Sequence, residues 1–172
     1  AHTAGVRMGV TTELICPDGM SFAPLAPAQL AGYRRYLRAI YGDADVGWSG
    51  GSFAAYLACF ARPMYSNVVA QAPHGAIRLA VKGLAPGPAN RDELASMRSL
   101  LLECLEAGAA GLSTGLEYAP AAHADARELA EMGRVVAEHG GVLSAHIRAY
   151  GKGAPEALGE LIGVAGETGA AL

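Results

Sequence analysis

The chain has 172 residues, 52% of them hydrophobic and 17% charged, with a formal net charge of −3 at pH 7. That composition suits one globular unit with a sizeable core, and it lacks the basic excess that nucleic acid or an anionic membrane would need as a partner. No apolar run approaches the roughly 18 residues of a membrane span, and three cysteines at irregular spacing make no disulfide framework, which points to a reducing cytoplasm.

Along the chain, Val10, Thr11, Thr12, Leu14 and Ile15 predict a buried strand that Cys16, Pro17, Asp18 and Gly19 stop. Residues 26–41 space Leu30, Tyr33, Leu37, Ile40 and Tyr41 as an amphipathic helix does. A Gly- and Asp-rich loop, GDADVGWSGG, follows, and then a short helix over 51–61 through Phe53, Tyr56, Leu57 and Phe60. SNVVAQAPHG predicts a second buried strand ending at His74, and APGPAN a loop. Asn90 is placed as an N-cap with Glu93 completing a capping box, ahead of a helix carrying Leu94, Met97, Leu101 and Leu105 and closed near Gly108.

AAGLSTGLEYAP predicts a third strand running out into polar residues, with DARELAEMGRVVAEHGG as its helix. GVLSAHIRAYG is a fourth strand with His146 near its end, and APEALGELIGVAGETG a last helix stopped by Gly169. Strands alternating with helices imply a parallel sheet. The later spacing of about 35 residues matches a (β/α) barrel unit, although a doubly wound sheet fits the alternation equally well. Both ends fall in mid-pattern, the expectation for an internal fragment.

In parallel α/β folds the C-terminal strand ends gather on one rim. That rim would collect Asp18 with Cys16, His74, the group Ser113, Thr114, Glu117 and Tyr118, and His146. Such a donor set can hold a divalent ion, with zinc the best match. Cys16 and Asp18 would share a face if the strand ran on through Pro17. Each residue also has a plainer reading. A lone cysteine is more often a small core hydrophobe, Asp18 before Gly19 suits a turn, and His74 and His146 could be structural. His123 and His139 read as solvent-exposed.

Four stretches together, GVTTELICPDGMSFAP, NVVAQAPHGAIRLAVKG, EAGAAGLSTGLEYAP and VVAEHGGVLSAHIRAYG, resemble the N-acyl-D-amino-acid deacylases (D-aminoacylases) of the amidohydrolase superfamily, in that family's order and near its spacing. The resemblance implies part of a (β/α)8 TIM barrel of the metal-dependent hydrolase type. Residues 1–172 would be a fragment of the barrel domain, covering barrel units about two to five, without the flanking β-sandwich and the remaining strands. It also implies zinc as cofactor and hydrolysis of the amide bond of small-molecule N-acyl-D-amino acids. His146 stands where the family has a histidine metal ligand. Asp18, rather than Cys16, occupies the ligand register in which many members carry cysteine. Tyr118 matches a substrate-facing tyrosine, and His74 and Arg78 match a recurrent HG-x-x-R motif and are expected near substrate. The family's His-x-His pair would precede residue 1, and its second histidine pair and catalytic aspartate would follow Leu172. The chain alone is therefore expected to be inactive. Two alternatives stay open at this point: an amidohydrolase of cyclic amides or isoaspartyl peptides, and a metal-free homologue acting as a binding protein.

Overall fold

Five short strands, all paired in parallel, run through the computed structural model, which describes residues 3–42 and 47–172. β1 (Thr12–Ile15) pairs with β2 (Asn67–Ala70). After Gln71 the same segment continues as β3 (Ala72–Pro73), which pairs with β4 (Gly111–Gly115), and β4 pairs with β5 (Val142–His146). Ala171 then bridges to Val142, so the chain returns alongside β5. Neighbours follow chain order, without the reversal that a doubly wound sheet carries at its switch point. Within the described residues the winding keeps one direction.

The strands are joined by α2 (Pro27–Tyr36), α3 (Arg38–Tyr41), α4 (Phe53–Ala58), α5 (His74–Lys82), α6 (Arg91–Glu106), α7 (Ala126–Glu138) and α8 (Ala154–Thr168), with a short α1 (Thr3–Arg7) ahead of β1. β4 is buried at every residue, as a parallel strand covered on both faces must be. Leu112 of β4 and Leu143 of β5 share one core with Met97 and Leu101 of α6, Met132 and Val136 of α7, and Leu161 of α8. Each such side chain, fully withdrawn from water, contributes about 1.5–3 kcal/mol. A second cluster packs Leu30, Tyr33 and Leu37 against Ala76 and Leu79 of α5. Among the described residues no helix is long and apolar enough to cross a membrane.

The sequence expectations hold for the long helices and need correction elsewhere. The first strand starts at Thr12 rather than Val10, behind α1, which the sequence reading lacks. The helix expected over 26–41 breaks at Leu37, which is buried, while Ile40 and Tyr41 beyond it are exposed. The helix expected over 51–61 spans Phe53–Ala58, capped by the Ser52 hydroxyl on Ala55 N. His74 does not end a strand: pairing stops at Pro73, and His74 opens α5. Of the loop GDADVGWSGG, residues 43–46 lie outside the described residues.

Candidate metal centre

β1 ends at Ile15 because the backbone turns left-handed at Cys16 (φ 64°, ψ 38°), and again at Asp18 (φ 55°, ψ 23°) and Gly19 (φ 68°). For Cys16 and Asp18 this conformation costs on the order of 1 kcal/mol each, so something must hold the turn. Ser113 on β4 does: its hydroxyl donates to the Cys16 carbonyl and accepts from Gly19 N at 3.1 Å. Glycine is required around the turn. A Cβ on Gly115 would overlap the Asp18 carbonyl, and one on Gly75 would lie 2.8 Å from the Gly19 oxygen. The condition for Cys16 and Asp18 to share a strand face, continuation through Pro17, is therefore not met. Cys16 turns into the core, and Asp18 is left partly exposed on the rim.

His146, the last residue of β5, meets Asp18 there. Its Nδ1 lies 3.9 Å from Asp18 Oδ1, and its Nε2 lies 2.9 Å from Glu117 Oε2. The Tyr118 and Tyr150 rings flank it, with centroids 4.7 and 5.1 Å away. Just beyond His146, Arg148 grips Glu160 through Nε and Nη2 at 3.0 and 2.9 Å and donates to the carbonyls of Ala122 and Ala124. The loop after β5 is thus tied both to α8 and to the segment that follows Tyr118. Burial, together with the Asp18 and Glu117 carboxylates, raises the Tyr118 phenol above its usual value, so it stands ready as a hydrogen-bond donor. Asp18 and Tyr118 also border a cavity of about 610 Å³, whose walls include Phe22, Tyr41, Trp48 and Tyr56.

Glu117 was legible only as one polar residue of the rim; the structure gives it a definite partner. By accepting the Nε2 proton it would leave the Nδ1 lone pair of His146 facing the Asp18 oxygen, the arrangement in which a carboxylate orients a metal-binding imidazole. The 3.9 Å gap is too long for a hydrogen bond. One imidazole nitrogen and one carboxylate oxygen facing each other in this way fit two positions of a zinc coordination shell. Among the described residues, no three His, Cys, Asp or Glu side chains are gathered to complete such a shell.

His74 and Arg78, expected near substrate, lie in the interior of the described fold. Both are wholly buried, with Thr114 and Glu128. His74 Nδ1 meets Thr114 Oγ1 at 2.8 Å and its Nε2 meets Glu128 Oε1 at 2.9 Å, while Arg78 pairs with the other oxygen of Glu128 and donates to the Gly87 carbonyl. Neither side chain presents surface to a ligand. Burial pushes the Glu128 carboxyl up, but hydrogen bonds and charge from His74 and Arg78 outweigh it and hold the group down at about 2. His139 is exposed, as the sequence suggests, with its Nδ1 bonded to the Val135 carbonyl at 2.8 Å, whereas His123 is only partly exposed.

The architecture is one found among the amidohydrolases. The structure superposes on a crystal structure of D-aminoacylase, described as defining a novel subset of amidohydrolases, with a TM-score of 0.82 and 33% identity over 96% of this chain and 34% of that one. It superposes with a TM-score of 0.81 on an N-acyl-D-glutamate deacylase from Bordetella bronchiseptica, at 33% identity over 96% of this chain and 34% of that one, solved with zinc and a phosphonate mimic of the tetrahedral intermediate. A further D-aminoacylase structure, at a TM-score of 0.82, is described by its binuclear metal centre. In sequence the chain is 36% identical over 168 residues to a D-aminoacylase of Alcaligenes xylosoxydans xylosoxydans, covering 92% of this chain. It is 35% identical over 167 residues to an N-acyl-D-glutamate deacylase of the same organism, covering 95% of this chain. The chain is a homologue of the N-acyl-D-amino-acid deacylases, and it spans about a third of the length of the curated relatives it matches. No family model matches it.

Proposed function

We propose that this chain forms part of a metal-dependent hydrolase that cleaves the amide bond of N-acyl-D-amino acids. In this reading residues 1–172 belong to a single (β/α)8 barrel domain and supply units two to five, the rest of the barrel and a β-sandwich coming from the longer polypeptide. The ordered, unreversed run of parallel strands supports it, as does the chain's matching only 32% of the length of a D-aminoacylase. A cytoplasmic setting suits the three unpaired thiols.

The observation that carries the reading is the meeting of Asp18 and His146 at 3.9 Å, although they come from the ends of β1 and β5 and are separated by two intervening strand positions. Asp18 contributes a hard oxygen donor and His146 a nitrogen donor, with Glu117 steadying the imidazole. Tyr118 lies close enough to His146 to donate its phenolic proton to the substrate carboxylate or to an oxyanion developing on the amide carbonyl. A zinc ion bound there would supply Lewis acidity, lowering the pKa of bound water from 15.7 to about 7. The acid–base group that serves the leaving amine is assigned to the longer polypeptide.

Zinc content and hydrolysis of N-acetyl-D-methionine, its L-isomer and a cyclic amide, measured on the full-length polypeptide and on Asp18→Ala and His146→Ala, test this. Bound zinc and D-selective turnover in the parent, with both reduced in each variant, are expected. Unchanged zinc binding in both folded variants would remove the site assignment, and cyclic-amide turnover without deacylation would redirect the substrate class.

A further inference from the structure

We propose that Thr114, held by His74, is a positioning residue that sets the Asp18 turn for metal binding; this rests on the metal-site reading above. β4 is gripped on both faces. Alternation places Ser113 and Gly115 on one face and Thr114 on the other. On the first face Ser113 binds both ends of the Cys16–Gly19 turn, and Gly115 packs against the Asp18 carbonyl without room for a Cβ. On the second face Thr114 Oγ1 meets His74 Nδ1 at 2.8 Å, and from there the chain of contacts runs through Glu128 to Arg78. His74 is followed by Gly75, which presses directly on Gly19. One relay therefore fixes two of the surfaces that the turn rests on.

Stability alone does not call for such a relay, because a buried ion-pair network can often be replaced by apolar side chains at no loss. What hydrogen bonds add is direction. The Thr114 hydroxyl has a partner at one register of β4 against α5 and α7, and a slip would leave buried polar groups unpaired in a wholly enclosed site. Metal ligands need their placement held to about 0.5 Å, and Asp18 sits on a strained turn that does not hold itself. His74 and Thr114 touch neither substrate nor metal in this assignment; they act through Gly19, Ser113 and Gly115.

The test uses the full-length polypeptide and reads zinc affinity by chelator competition alongside the Tm of the zinc-free protein. Thr114→Val removes the hydroxyl and keeps the branched shape, whereas Thr114→Ser keeps the hydroxyl and removes the methyl. Thr114→Val is expected to weaken zinc binding by roughly tenfold or more, the scale of losing an outer partner of a metal site, and Thr114→Ser to restore it. Should Thr114→Val not fold, a second pair decides. His74→Gln keeps a polar group toward Glu128 and is expected to lose zinc affinity, while His74→Asn keeps one toward Thr114 and is expected to lose Tm but retain affinity. Folded Thr114→Val with parental zinc affinity, or equal weakening by Val and Ser, overturns the positioning role alone. So does equal zinc affinity in the two His74 variants. A parent that binds no zinc overturns the functional reading and this role with it.

Discussion

Cys16 and Asp18 stand two residues apart in one tight turn, yet they differ in what they can offer a metal. Cys16 is 5% exposed, and burial pushes its thiol up to about 11 against the opposing pull of a hydrogen bond with Ser21. At neutral pH it stays protonated, and the thiol is not the ligand form. Asp18 lies partly exposed, with a carboxylate oxygen facing His146. Alkylation with iodoacetamide at pH 8 should therefore modify exposed Cys59 quickly. Cys16, and Cys104 with its thiol pushed up by burial to about 12, should react only after denaturation. Mass spectrometry of the peptides reads this, and labelling of Cys16 as fast as Cys59 would put the thiol back among the candidate ligands. The residue types of this turn, Cys16 and Asp18 among them, were legible in the sequence. Their separation was not, because strand alternation would have kept both on one face. It depends on left-handed backbone at Cys16 and Asp18, in a turn held by Ser113 and packed against Gly75 and Gly115.

At the scale of elements, legibility tracks how local the signal is. The Asn90 cap was readable because every atom in it lies within four residues: Asn90 Oδ1 accepts from Asp92 N and Glu93 N at 2.9 Å, and Glu93 returns to Asn90 N at 2.8 Å. Asn90→Ala should cost about 1 kcal/mol in urea denaturation of the protein. A loss below a few tenths would mean that the cap is replaced by solvent and that α6 depends on packing alone. α5 was missed for the opposite reason. His74, Arg78 and Lys82 recur every four residues, but residues 74–79 are all buried, so the first two positions of that stripe face partners distant in sequence rather than solvent. His74 follows Pro73 directly, with no loop between β3 and α5, and so reads as a strand end. Arg78 inside that stretch was the missed clue, since a buried guanidinium must have a buried counter-ion; which of the acidic residues served was a question of tertiary structure.

Over the whole molecule, two of the charge systems that link the helices should respond differently to solution conditions. Arg98, Glu131, Arg134 and Glu167 run across the outer faces of α6, α7 and α8, with Arg98 to Glu131 at 3.0 Å and Glu131 to Arg134 at 2.8 Å. Their side chains are 29–58% exposed, so each pair contributes about 0–1 kcal/mol and is screened by salt. The His74, Arg78 and Glu128 cluster joins α5 to α7 with no exposure at all. Removing the carboxylate there, as in Glu128→Gln, leaves a buried guanidinium without its counter-ion and should cost about 3–5 kcal/mol. The sign of the acid response follows from the carboxyl, which is held at about 2 against an ordinary 4.5. The folded form keeps Glu128 ionised where the unfolded chain has begun to take up a proton. Its stabilisation is complete above the ordinary value and is lost as pH falls from about 4.5 toward 2. Urea denaturation of parent and Glu128→Gln at pH 7, 5, 4 and 3 should then show two curves far apart at neutral pH and converging as the solution becomes acidic. Curves that stay parallel to pH 3 would show that Glu128 carries no ionisation-linked stability, and that apolar contacts alone hold α5 and α7 at this junction.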